Sequence, residues 1–291
     1  MLPKKPPVEY EGTTTLVTGA SSGLGEEFAR QLAARRSNLV LVARSADRLE
    51  ALAEQLRAGH GVTVTTLPAD LSRADEVSRV VAFTATNPVH VLVNNAGFGT
   101  YGSFASLNPA REQDEVMVNS AAAVALAHAV LPGMLARGTG GIITVASSIA
   151  FQPSPLQAVY GATKAFGLAF SEALWAETRG SGVRIVALCP GPTATGFFSS
   201  LGDQRATSSI IYRRTTDPAA VVRTGLRGLD HDAMTVIPGL RTRLLAQGHR
   251  FLPRTVMARM TGRMLSPAGG KQRSSARHPA ATAAAGFIVR R

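Results

Sequence analysis

Hydrophobic positions along this chain fall into short apolar runs that alternate with stripes at helical spacing. Residues 13–18 form a β-branched run, and residues 26–36 follow with Phe28, Leu32 and Ala33 on one helical face. Residues 38–43 read as a second strand, and residues 46–57 as a helix striped by Leu49, Leu52, Ala53 and Leu56. A third strand is expected at 62–67, a helix at 74–85 and an apolar fourth strand at 89–94. A long helical region, 109–137, precedes a fifth strand at 141–146; a helix through Tyr160 then runs to about Arg179, and a sixth strand covers 183–188. Strands and helices alternating at these lengths imply right-handed crossovers and a parallel sheet covered on both faces. No repeat or linker interrupts the alternation, so a single doubly wound α/β domain is expected through about residue 238.

Ligands of such sheets collect at the carboxyl ends of the strands. The polar and glycine-rich segments of this chain fall at those ends: residues 19–25 after the first strand, Arg44 after the second, Asp70 after the third, Asn94 to Gly97 after the fourth, Ser147-Ser148 after the fifth and Pro190-Gly191 after the sixth. The first segment joins a strand to a helix, which is the setting a pyrophosphate needs. Glycines admit close approach of the backbone, and the free N–H groups and dipole of the helix start attract negative charge. Its spacing is Gly-x-x-x-Gly-x-Gly rather than Gly-x-Gly-x-x-Gly, and a plain tight turn is the alternative reading.

Tyr160 and Lys164 lie four residues apart, so a helix projects them from one face, one turn apart. A free tyrosine titrates near ~10. A neighbouring cation favours the phenolate, which makes such a pair a usable proton acceptor and donor. The same spacing arises by chance in many helices, and the pair gains meaning only from the segments around it.

Composition changes this picture little, but charge does. Hydrophobic residues make up 45% and charged residues 17%, and no uninterrupted apolar run reaches the ~18 residues of a membrane span. The most apolar stretch, 116–135, contains Asn119, His128 and Pro132 and reads as a buried helix. Residues 1–12 read as a loose leader, with lysines but no apolar stretch behind them, so a secretory signal is not expected. Cys189 is the sole cysteine and ends an apolar run, where a small buried hydrophobe is the plain reading; the six histidines never fall at ligand spacing, so no metal site is expected. The net charge of +12 is not spread along the chain: residues 233–291 hold ten Arg, one Lys and no acidic residue, which leaves the preceding body at +1. Basicity therefore belongs to a C-terminal extension and says nothing of what the body binds.

With these residues together, the chain resembles the classical short-chain dehydrogenases/reductases over about residues 13–238. The resemblance rests on Thr18-Gly19-Ala-Ser21-Ser22-Gly23-Leu24-Gly25, Asp70-Leu71, Asn94-Asn95-Ala96-Gly97, Asn119, Ser147, Tyr160-x-x-x-Lys164 and Pro190-Gly191-Pro-Thr193-Ala-Thr195, in this order and spacing. It implies a Rossmann-type sheet of about seven strands, a nicotinamide cofactor, hydride transfer between alcohol and carbonyl, and a homodimer or homotetramer built through the long helices. Tyr160 would then be the general acid in reduction and the base in oxidation. Lys164 would favour its phenolate and bind the nicotinamide ribose. Ser147 would donate to the carbonyl oxygen, with Ser148 as its rival and a turn-capping serine as the plain alternative. Asn119 would hold a water that continues a proton path from Lys164, or else be a helix residue bonded to backbone. Residues 94–97 would support the adenine side, Asp70 would bond the adenine, and residues 190–195 would contact the nicotinamide end. Two positions depart from the pattern: Thr144 stands where Asn is frequent, and Ala150-Phe151 where Ala-Gly is common, so a different pocket shape is expected.

A carboxylate at the end of the second strand would bond the ribose 2′-hydroxyl of NAD and repel a 2′-phosphate. That strand ends Val42-Ala43-Arg44, so NADP(H) is the expected cofactor, paired through Arg44. Phe98, Tyr101, Phe104, Phe151, Leu156, Phe197 and Phe198 flank the expected site and suggest a small apolar carbonyl or alcohol substrate, with no charged group placed to select a charged one.

In the extension, Leu240, Leu244, Leu245, Phe251, Leu252, Val256, Met257, Met260 and Met264 recur near helical spacing among arginines, with Pro253 expected to divide residues 239–265 into two helices. Such a segment can lie on an anionic membrane, close over the pocket, or present a solvated face while packed on the domain or on a sister subunit. Residues 266–291, rich in Ser, Gly, Ala and Arg, are expected to be disordered. A cytoplasmic NADPH-dependent reductase is the leading expectation, with the solvated, packed face as the plain reading of the extension and peripheral membrane contact as its alternative. A catalytically silent NADP-binding regulatory or scaffold protein is the second. Specific nucleic-acid binding through the tail is disfavoured, because no recognition module accompanies the arginines.

Overall fold

The computed structural model describes residues 8–197, 215–248 and 252–266. Seven strands, β1 (Thr14–Thr18), β2 (Asn38–Ala43), β3 (Val64–Pro68), β4 (Val91–Asn94), β5 (Gly140–Val145), β6 (Val183–Leu188) and β7 (Thr235–Val236), form one sheet in the order β3-β2-β1-β4-β5-β6-β7. Every pairing is parallel. The helices are α1 (Gly23–Ala34), α2 (Ala46–His60), α3 (Ala74–Thr86), α4 (Pro109–Val116), α5 (Ala122–Arg137), α6 (Ala158–Glu177), α7 (Pro218–Asp230), α8 (Leu240–Gln247) and α9 (Arg254–Leu265).

Period-two projection from the strands feeds two separate cores. Val17, Leu41, Val93, Ile143 and Val186 meet Phe28 of α1, Leu49 of α2 and Leu226 of α7. Their neighbours Leu16, Val40, Leu92, Ile142 and Ile185 meet Val80 of α3, Leu126 and Met134 of α5 and Phe170 of α6. Because helices cover both faces, the strands read as continuous apolar runs instead of alternating ones. The chain leaves β1 for a helix on one face and reaches β4 from the other, so a crevice opens between these neighbours at their carboxyl ends.

Element types match the sequence reading and several boundaries do not. Helix α1 begins at Gly23 and not at residue 26, because the glycine segment itself forms the first turn. Strand β3 starts at Val64, since Gly61 at φ 65° ends α2 and the Thr63 N–H is taken by the Asn38 side chain. Strand β7 has two residues and was not legible as a strand. The 109–137 region is one helical path interrupted by a wide π turn, Met117–Ala121, with Asn119 at its centre. By length and mean hydropathy of 1.5 it is the one helix among the described residues that could cross a membrane. Here it is half-buried instead of buried: Ala122, Leu126, Val130 and Met134 face the core, while Val116 and Leu135 are exposed.

Residues 8–12, read in the sequence as part of a loose leader, include one anchored side chain. Tyr10 is buried, its hydroxyl donates to Asp230 Oδ1 at 3.0 Å, and the Arg35 guanidinium lies 4.9 Å from its ring centroid. The expected disorder of the tail falls outside the described residues apart from Ser266. Replacing Tyr10→Ala is expected to lower the unfolding free energy by about 3 kcal/mol, as for a large buried aromatic. Urea denaturation checks this, and an unchanged midpoint would return Tyr10 to the leader.

Candidate active site

A cavity of about 480 Å³ occupies the crevice, and most sequence-selected residues line it. Gly19, Ser21, Ser22, Gly23 and Leu24 come from the loop after β1, Arg44 from the end of β2, Asp70 and Leu71 from the end of β3, and Asn95, Ala96 and Gly97 from the end of β4. Ser147 and its rival Ser148 follow β5, Tyr160 and Lys164 come from α6, and Pro190, Gly191, Thr193 and Thr195 follow β6. Thr18, Gly25 and Asn119 lie behind this wall.

The loop after β1 has the shape of a phosphate cradle. Gly19 and Gly23 have φ of 66° and 58°, which favour glycine, and a Cβ on Gly25 would run into the carbonyl oxygen of Gly19. Ser22 caps α1 without a side-chain hydrogen bond, so the first-turn N–H groups remain available to an anion beside cavity-lining Ser22, Gly23 and Leu24. Thr18 steadies the cradle from behind: its Oγ1 donates to the Val93 carbonyl and accepts the Asn95 and Ala96 N–H groups, each at 3.0 Å. The Asn95 amide donates to the Thr18 carbonyl at 2.8 Å. A dinucleotide pyrophosphate fits this donor set.

Asp70 accepts from the Ser72 N–H and hydroxyl at 3.0 and 2.8 Å. Burial works against its charge, but these bonds, with Arg44 and Arg73 nearby, hold its carboxyl below the usual range. Arg48, one turn beyond Arg44 on α2, also lines the cavity and was missed. Its signal in the sequence was the i, i+4 arginine pair at the end of the second strand.

Tyr160 and Lys164 are both buried, with the Lys164 Nζ 5.7 Å from the tyrosine ring centroid. Nζ donates to the Val145 carbonyl at 2.7 Å. Burial pushes the Lys164 ammonium down to about 8, with the negative charge of Glu115 opposing the shift. It therefore stays mostly protonated at neutral pH. Ser147 Oγ accepts the Ile149 N–H at 3.3 Å, which is the capping bond of the plain reading, and its hydroxyl proton is still able to donate into the cavity. The Asn119 side chain is spent on neighbours: its oxygen accepts the Phe98 N–H, and its amide donates to the Phe98 carbonyl and to Thr163 Oγ1. Burial pushes the Cys189 thiol up to about 12, in keeping with an inert buried residue.

Of the apolar residues expected to flank the site, Leu156 and Phe197 pack against Tyr101, and the Phe197 and Tyr160 ring centroids lie 5.2 Å apart. Phe98 lines the cavity under the Arg111 guanidinium, whose carbon is 4.1 Å from the ring centroid. Phe151 packs on a small cluster under the cavity, Phe104 is 63% exposed and takes no part, and Phe198 lies outside the described residues. Arg111 and Asp114, which the sequence reading did not single out, also line the cavity.

The largest omission is a pair of buried carboxylates on α4. Glu112 and Glu115 are 7% and 0% exposed, and three of their four oxygens have no hydrogen-bond partner among the described residues. The fourth, Glu115 Oε2, accepts from Thr100 Oγ1 at 3.1 Å. Both share a helical stripe with Asn119, at i, i+3 and i+7, and that stripe was the available clue. Burial pushes the Glu115 carboxyl up to about 7, helped by Glu112 and opposed by Lys164. A folded-state value above the unfolded 4.5 means that Glu115 adds stability at low pH and that this is lost as pH rises through about 7. Glu115→Gln is expected to flatten this loss, of up to roughly 3 kcal/mol between pH 4 and pH 8. Denaturant titrations of both proteins at the two pH values check it, and equal slopes would contradict it.

This parallel sheet, with an anion cradle at its switch point, defines a Rossmann-type dinucleotide-binding protein. The short chain dehydrogenase family model matches residues 13–206, and the chain belongs to the short-chain dehydrogenase/reductase family of oxidoreductases. Ketoacyl reductase HetN from Nostoc sp. is 36% identical over 62% of this chain and 63% of its own length. Inactive hydroxysteroid dehydrogenase-like protein 1 from Homo sapiens is 33% identical over 65% of this chain and 58% of its own. This chain thus spans about three fifths of the curated relatives it matches. A short-chain dehydrogenase from Sphingobium yanoikuyae in complex with NADPH superposes with a TM-score of 0.75 at 34% identity, covering 82% of this chain and 94% of that one.

Proposed function

We propose that the protein is an NADPH-dependent oxidoreductase that interconverts a small apolar carbonyl compound and its alcohol. The observation that carries this reading is the joint burial of Tyr160 and Lys164 on a cavity that the glycine cradle and Ser147 also line. NADP(H), when bound, supplies or accepts the hydride. Tyr160 gives its proton to the developing alkoxide in reduction and takes it back in oxidation. Lys164, held by Val145, keeps a positive charge beside the phenol, and Ser147 donates to the carbonyl oxygen as charge develops there. Phe98 and Phe197 give the substrate end an apolar lining.

Arg44 and Arg48, with no carboxylate at the end of β2, support a 2′-phosphate and hence NADP(H) over NAD(H). The outer apolar residues of the long helices, Val116, Leu135 and Phe166, fit a second copy of the chain, in keeping with a homodimer or homotetramer. A cytoplasmic location and the absence of a specific nucleic-acid partner complete the proposal. The relative named inactive keeps the second reading in view, that of a silent cofactor-binding protein.

Tyr160→Phe is expected to lower turnover of apolar ketones and aldehydes by at least about 100-fold while NADPH still quenches protein fluorescence with an unchanged Kd. Equal turnover would remove Tyr160 from its role, and no turnover by either protein with tight NADPH binding would favour the silent reading. The ratio of kcat/KM for NADPH over NADH is expected to exceed unity. Arg44→Asp should lower the NADPH value by about 10- to 100-fold. A wild-type preference for NADH would sink the cofactor assignment.

A further inference from the structure

The two C-terminal helices have one face that belongs to the cavity and one that belongs to nothing described. On α8, Ala246 is buried and Thr242 lies against Gly191 of the cavity wall, so near that a Cβ on Gly191 would come within 2.9 Å of its hydroxyl. On α9, Met257, Thr261 and Leu265 are buried at i, i+4 and i+8; Thr261 and Leu265 line the cavity, and the Tyr101 hydroxyl donates to the Leu265 carbonyl at 2.6 Å.

The outer faces carry an unusual combination of side chains. Leu240, Leu244 and Leu245 are 73%, 64% and 57% exposed on α8, and Leu252, Val256 and Met260 are 41%, 37% and 44% exposed before and along α9. These are six of the eleven large hydrophobic residues exposed among the described residues, gathered within 21 positions. Scattered exposed apolar residues need no explanation, but a concentration of this kind marks an interaction surface. The charged residues interleaved with them are all arginines: Arg241, Arg243, Arg254, Arg259 and Arg263 are exposed, and none is paired with a carboxylate among the described residues. From residue 233 onward the chain has no acidic residue with which to answer them.

We propose that the outer faces of α8 and α9 dock on an anionic lipid surface, with Leu240, Leu244, Val256 and Met260 entering the acyl boundary and the arginines meeting lipid phosphates. The charge pattern selects this occupant. A second copy seated symmetrically on the same face would set arginine against arginine with no carboxylate between them. Nucleic acid would satisfy the arginines but leave leucines that are more than half exposed without an apolar partner. A bilayer interface answers both, with anionic headgroups at the level of the guanidinium groups and hydrocarbon beneath. Because the same helices wall the cavity, docking would also bring the site to the membrane. That suits an apolar substrate drawn from the bilayer, a corollary that rests on the reductase reading whereas the docking itself does not.

Sedimentation of the full chain with phosphatidylcholine vesicles, with and without phosphatidylglycerol, tests the proposal without any activity assay. The wild-type protein is expected to sediment with the anionic vesicles alone and to be released when salt rises from about 0.1 M to about 1 M, as screening requires. Leu240→Glu with Leu244→Glu changes two exposed residues outside the cavity and leaves the basic tail intact. It is expected to weaken partitioning by at least about tenfold. Circular dichroism and unchanged NADPH binding confirm that the variant is folded. The proposal is overturned if the wild-type chain fails to sediment, if it binds neutral vesicles equally well, or if the double variant binds undiminished, which would assign the binding to the tail. It also falls if the wild-type chain binds no lipid but forms a dimer that the double variant loses.

Discussion

A buried ammonium beside a buried phenol is the constraint around which the rest of the site is arranged. Taking Lys164 out of water disfavours its charge, and the shift to about 8 records that cost. The charge survives because three elements converge on it. The end of β5 supplies the Val145 carbonyl, α4 brings Glu115 close enough to act through its charge, and α6 sets Tyr160 one turn away. Even the backbone is shaped by this position, since a Cβ on Gly97 would come within 3.3 Å of Nζ and within 2.9 Å of the Asn119 side chain. A larger residue at position 97 would have to displace one of these side chains.

The π turn at Asn119 belongs to the same arrangement. The turn sets the Asn119 side chain against the Phe98 backbone and the Thr163 hydroxyl, on the helical path that also buries Glu112 and Glu115. π turns commonly occur at functional positions, because the widened backbone re-aims a side chain at the expense of regular hydrogen bonding. Asn119 thereby ties the loop carrying Phe98 to α6.

Hydrophobic packing and the chemistry of the site are segregated along each strand. Interior positions feed the two cores and are nearly all apolar, whereas polar residues wait at the carboxyl ends. That segregation made most of the site legible early: the glycine segment, Arg44, Asp70, residues 95–97, Ser147 and residues 190–195 each follow an apolar run, and the Tyr160 and Lys164 pair was read from its helical spacing on α6. What escaped notice lies on helices: Arg48, Arg111, Asp114 and the two glutamates. A charged residue on a helix is ordinarily on the solvent face, and spacing alone does not say which face another element will cover.

The sequence by itself determined the succession of strands and helices, the parallel sheet, and the set of segments that gather at its carboxyl edge. Those follow from local periodicity and from the fixed hand of the crossovers. Tertiary structure alone decided which polar groups lost their water. Tyr10 of the supposed leader became core because α1 and α7 meet beside it, while Val116 and Leu135 of the apolar helix stayed outside. Glu112 and Glu115 went inside without full partners, and the C-terminal helices spent one face on the cavity and kept the other in the open. Desolvation depends on what packs against a residue from elsewhere in the chain, and no reading of neighbours in sequence contains that information.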